Sequence, residues 1–103
     1  MSIIDTKDLS RGAVDVLTER DRQLFVEGFD DGHDDNHDER ALPMAAASYA
    51  LAAGGLARPG IAANVWPFAF KWWKPRGPRE NMVRAAALLI AAIDKYDRRW
   101  PRG

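Results

Sequence analysis

The spacing of apolar positions predicts three helices separated by two long polar or aromatic segments. The first helix is expected to open at Thr18-Glu19-Arg20-Asp21, which matches a capping box, and to run through Leu24, Phe25 and Val26. Gly28 suits the position after its end, where positive φ is common. Upstream, Leu9, Ala13, Val16 and Leu17 allow only a turn or two, weakened by Gly12. Residues 1–17 therefore read as a partly ordered lead-in. The second helix is expected to begin at Pro43, which suits the first helical position, where a missing N–H costs nothing. It continues through an alanine-rich run carrying Tyr49 and Leu51, and ends at Gly54-Gly55. The third starts near Pro78. Met82, Val83, Ala86, Leu89, Ile90, Ile93 and Asp97 recur there at intervals of three and four, which predicts the buried face. Arg84, Lys95 and Arg98 fall on other faces, and Tyr96 falls at the edge. Pro101 stops the helix. The expected fold is all-α, a single three-helix domain over residues 18–99 with a tail at 100–103.

Alanine-rich faces on the second and third helices promise thin packing in a monomer. A homo-oligomer that sandwiches those faces is the expected remedy. The size of the chain, 103 residues, fits one domain. Its longest apolar run is far short of the roughly 20 residues that span a bilayer, and no signal peptide is expected. The absence of cysteine removes disulfides, thiol catalysis and thiolate metal sites, and fits a reducing cytoplasm.

Charge is balanced overall but split along the chain. Residues 1–52 carry twelve acids and five bases, a net of −7; residues 53–103 carry three acids and ten bases, a net of +7. The halves should attract one another, within one chain or between copies, or the basic half should meet a phosphate-bearing ligand. A zero net charge and no helix rich in Arg, Lys, Asn and Gln argue against sequence-specific DNA binding.

Two segments carry candidate chemistry. The first is Asp30-Asp31-Gly32-His33-Asp34-Asp35-Asn36-His37-Asp38-Glu39. His33 and His37 are four apart, so a helix would put both on one face with Asp30 and Asp34, and imidazole with carboxylate suits a divalent cation. The string fits no EF-hand frame and lacks the HExxH order. Capping and loop hydrogen bonds, metal binding at His33, Asp34 and His37, and ligand contact all remain open there. The second is the stretch 66–75, with Trp66, Phe68, Phe70, Trp72 and Trp73 interleaved with Lys71 and Lys74. One reading is a hydrophobic plug that supplies the bulk the alanines lack. The other is a stacking platform. In it, Trp72 or Trp73 holds a base, while Lys71, Lys74, Arg76 and Arg79 neutralise phosphates beside a helix N-terminus.

With these pieces in place, the chain resembles a group of small phage- and prophage-encoded proteins of unknown function. The resemblance rests on Glu27-Gly28, His33-Asp34-Asp35 with His37, Ala45-Ala46-Ala47 leading to Tyr49-Ala50, Trp66-Pro67, Trp72-Trp73-Lys74-Pro75, and the helix from Val83 to Asp97-Arg98. It covers residues 19–99 and departs at Phe29, where the group carries Trp, and across 39–43. It implies a mobile-element context and a bacterial host cytoplasm. It assigns no reaction.

No high-specificity catalytic motif is present, neither a Walker A nor a GxGxxG pattern, and no cofactor is expected. The sequence leans towards a non-catalytic binding protein that captures a small nucleotide-like ligand, as a sponge or inhibitor of host defence signalling. The expected ligand-binding residues are His33, Asp34, Asp35, His37, Trp72, Trp73, Lys74 and Arg79. Asp34 and Asp35 would take ribose hydroxyls. Two alternatives stand beside it. One is a metal-dependent helical nucleotide hydrolase, for which Asp94-Lys95-Tyr96-Asp97 is the nearest echo of a carboxylate motif. The other is a protein–protein interaction module that blocks a host factor.

Overall fold

The computed structural model describes residues 5–25, 40–57 and 60–102. The described residues form four α-helices and no strand. They are α1 (Arg11–Phe25), α2 (Ala41–Ala53), α3 (Ala62–Val65) and α4 (Pro78–Arg99), with single 3-10 turns at Thr6–Asp8 and Phe70–Trp72.

α1 starts well before Thr18. Ser10 caps it, accepting from the Ala13 N–H at 3.1 Å, so that one of the free first-turn donors is satisfied. Thr18 is a helix-interior residue whose hydroxyl donates to the Val14 carbonyl at 2.9 Å. The capping-box pattern at 18–21 is therefore not a helix start. The box itself is a pair of hydrogen bonds, whereas the sequence pattern specifies only residue types, and these types also occur inside helices.

α2 includes Ala41 and Leu42 ahead of Pro43, which stays within the first turn where its missing donor is harmless. Its end is a Schellman motif. The Leu56 N–H donates to the Leu51 carbonyl and the Gly55 N–H to the Ala52 carbonyl, both at 3.0 Å. Gly55 sits at φ +90°, which a side chain would resist. α3 is the helix that the spacing did not predict. It is a single turn after Gly60, held by the Ala62 N–H on the Leu56 carbonyl at 3.1 Å and by full burial of Ala62.

The core lies between α2 and α4, with α1 packed on α4 and α3 on α2. Leu42, Ala45, Ala46 and Tyr49 of α2 meet Ala85, Leu88 and Ala91 of α4, and Trp66, Phe68 and Trp73 close one side. The alanine faces thus cover each other within one chain. They do not need a second copy, and the packing argument for an oligomer through those faces falls away. The buried face of α4 also differs from the expected one. It runs through Asn81, Ala85, Ala87, Leu88, Ala91 and Lys95, while Met82, Leu89 and Ile93 stand exposed. Small residues at the contact let two helix backbones approach closely, and close approach selects fit over bulk.

At the start of α4, Pro78 occupies the first helical position and Gly77 the cap. Asn81 ties that start to the preceding strand-like segment. Its side chain accepts from the Arg76 N–H at 2.7 Å and donates to the Arg76 carbonyl at 2.8 Å. The residue is 1% exposed. Among the described residues, no helix is long and apolar enough to cross a membrane.

Candidate functional site

Adjacent tryptophans of the aromatic segment have opposite fates. Trp73 turns inward, its ring centroid 4.9 Å from Tyr49 and 5.2 Å from Trp66. Trp66 meets Tyr49 edge-on at 5.6 Å and Phe68 at 5.4 Å, and its indole N–H donates to the Ala69 carbonyl at 3.1 Å. These rings form the plug, and each edge-to-face pair adds to the area it buries. Trp72 turns outward. About half of it is exposed, and the ammonium groups of Lys71 and Lys74 lie 5.3 and 5.9 Å from its ring centre. The split comes from the 3-10 turn Phe70–Trp72, closed by the Trp73 N–H on the Phe70 carbonyl at 2.9 Å.

Beside Trp72 lies a cleft of about 60 Å³, lined by Tyr49, Phe68, Lys74, Arg84, Leu88 and the α1 residues Glu19, Arg22 and Gln23. Its wall of Glu19, Arg22 and Arg84 also bounds an open crevice of about 360 Å³ between α1 and α4, where Arg76, Arg79 and Asp15 stand. The two spaces adjoin at this shared wall, which divides the groove between α1 and α4 into an aromatic end and an arginine-rich end. The acidic and basic halves of the chain meet across it. Arg79 pairs with Asp15 at 2.9 Å. The Arg84 guanidinium carbon lies 5.7 Å from the Tyr49 ring centre, and one of its amino groups donates to the Tyr49 hydroxyl at 3.4 Å.

Glu19 anchors the floor. Both its oxygens accept from Arg22 at 2.7 Å, and the Gln23 amide donates to one of them at 3.1 Å. Burial alone would raise the Glu19 carboxyl. The Arg22 hydrogen bonds, the charges of Arg22 and Arg84 and the Gln23 amide outweigh it and hold the carboxyl below its usual range. Glu19 also fixes the Gln23 amide with its nitrogen inward. That leaves the Gln23 carbonyl oxygen buried in the cleft wall with no hydrogen-bond partner. Buried acceptors are nearly always paired, so this orphan is an exception among the buried polar atoms.

Of the residues expected from sequence, the structure brings Trp72 and Lys74 to the aromatic end and Arg79 to the arginine end. Trp73 lies behind them in the plug. His33, Asp34, Asp35 and His37 lie outside the described residues, as does the cation set they would form. Among the described residues no cluster of three or more metal-ligating side chains occurs. Asp94 and Asp97 stand exposed on α4 and line neither part of the groove. Sequence reasoning missed Glu19, Arg22, Gln23, Tyr49 and Arg84. Tyr49 alone carried a signal, as the one ring in a run of alanines. The others look like ordinary helix-surface charges until α1 and α4 are packed.

Comparison of the chain with protein-family models, with curated proteins and with solved structures finds no match. The functional reading therefore rests on the groove and the sequence motifs.

Proposed function

We propose that this is a non-catalytic binding protein that captures a small nucleotide-like ligand, in a bacterial host cytoplasm, as a sponge or inhibitor of host defence signalling. The observation that supports it most is the outward Trp72, flanked by the Lys71 and Lys74 ammonium groups, beside a cleft whose wall carries Arg22 and Arg84. Each feature answers one part of a nucleotide. Trp72 offers a stacking face, worth about 1–3 kcal/mol per base. Lys74, Arg76 and Arg84 face phosphate oxygens, and a guanidinium takes two of them at once. The cleft is narrow, so the ring lies across its mouth against Trp72 and inserts only an edge.

A thermal-shift screen against mononucleotides, cyclic nucleotides and divalent cations tests this. A ligand at a hundredfold excess over its Kd stabilises the native state by about 2.7 kcal/mol. The expected result is a shift with a nucleotide that is lost in Trp72→Ala and Lys74→Ala, with the circular dichroism of both variants unchanged. No shift with any nucleotide overturns the reading and moves the assignment to a protein partner. A shift with a cation alone moves it to the hydrolase alternative.

A further inference from the structure

We propose that two copies of the chain pair antiparallel through the exposed stripe of α4. The stripe consists of Met82, Ala86, Leu89, Ile93 and Tyr96, with Trp100 at the cap just past the helix end, spaced four, three, four, three and four apart. That is the heptad alternation of a helix–helix seam, and it keeps one side of a helix over five turns. The core does not use it. The buried side of α4 runs through Asn81, Ala85, Leu88, Ala91 and Lys95. The five large residues of the stripe are between 47% and 64% exposed.

The pattern itself names the occupant. The six positions are symmetric about residue 91, so antiparallel copies set Met82 against Trp100, Ala86 against Tyr96, and Leu89 against Ile93. The outer layers then join a smaller side chain to a larger one, the central layer joins two of equal size, and the thioether of Met82 meets an indole. A parallel pair would stack Trp100 on Trp100 and Tyr96 on Tyr96, and leave a gap at Ala86. A surface complementary to its own reverse is what a two-fold interface requires. The area suffices as well. Five large side chains at about half exposure contribute on the order of 600 Å² per copy, about 1,200 Å² for the pair, which reaches the range of specific interfaces. The groove opens where α1 flanks α4 and uses Arg84 and Leu88, so the seam leaves it free.

Sedimentation velocity of the full chain at micromolar concentration tests the pairing. The expected result is twice the chain mass, with Leu89→Glu/Ile93→Glu raising the dimer dissociation constant at least about a hundredfold while helicity is kept. A wild-type monomer overturns the proposal, and so does a dimer that ignores the double substitution. Cross-linking tests the orientation without relying on those variants. The chain has no cysteine, so Met82→Cys and Trp100→Cys chains carry one thiol each. A disulfide that forms only when the two are mixed supports the antiparallel seam. Efficient cross-linking of either variant alone overturns it.

Discussion

Replacing Asn81 by alanine should weaken the fold far more than its polar side chain suggests. Asn81 is 1% exposed and spends both halves of its amide on Arg76, at 2.7 Å to the N–H and 2.8 Å to the carbonyl. Each such bond nets about 0.5–1.5 kcal/mol, so losing both costs about 2 kcal/mol, and more where the Arg76 groups cannot reach water. In a domain of this size that lowers Tm by roughly 8–16 °C. The assay is a circular dichroism melt at neutral pH, with urea unfolding as a check on the slope. Asn81→Asp separates the two bonds. It still accepts from the Arg76 N–H, yet sets a carboxylate against the Arg76 carbonyl, and it should stay destabilised. A drop below about 2 °C for Asn81→Ala would show that the clasp merely accompanies the start of α4 at Pro78 and does not hold it.

Three further outcomes follow from the same geometry. Tyr49→Phe should cost under about 1 kcal/mol, because its hydroxyl bonds are long at 3.4 Å, while Tyr49→Ala should cost about 3–5 kcal/mol by emptying the ring cluster; paired urea titrations read both. Ala91→Leu should destabilise by about 1–3 kcal/mol despite leucine's good helix propensity, since Ala91 is fully buried where α4 packs; a higher urea midpoint would refute this. Glu19 has a lowered folded-state pKa, so its contribution is present above the unfolded value near 4.5 and is lost as pH falls through the lower folded value. Glu19→Gln should therefore flatten the stability curve below that pH, and an unchanged acid limb in Tm against pH would count against the ionised Glu19–Arg22 pair.

Elements set by local chemistry were readable in the sequence. Pro78 at a helix start, Gly54-Gly55 at a helix end and Pro101 as a stop act through their own φ angles or missing donors, whatever surrounds them. Features decided between elements were not. The spacing on α4 holds two apolar stripes at different angles round the helix. Bulk alone favours the one with Met82, Leu89 and Ile93, yet the core took the one with Ala85, Leu88 and Ala91. The same holds at the groove. Trp72 and Lys74 announce themselves as a ring and a cation in one short segment. Gln23 and Arg84 acquire meaning only when α1 and α4 set them across a cleft.

These observations share one cause. Alanine on both α2 and α4 lets their backbones come close, and a close contact has room for few large side chains. The bulk is displaced to two places. At one end it becomes the plug of Tyr49, Trp66 and Trp73, beside which the preceding residue, Trp72, faces outward with its flanking lysines. Along the far side of α4 it becomes the exposed stripe from Met82 to Trp100. The aromatic segment is thus divided between neighbours in the chain, Trp73 in the plug and Trp72 exposed. The stripe is the other consequence of the same close contact, so a larger residue at Ala45 or Ala91 should disturb the groove and the seam together.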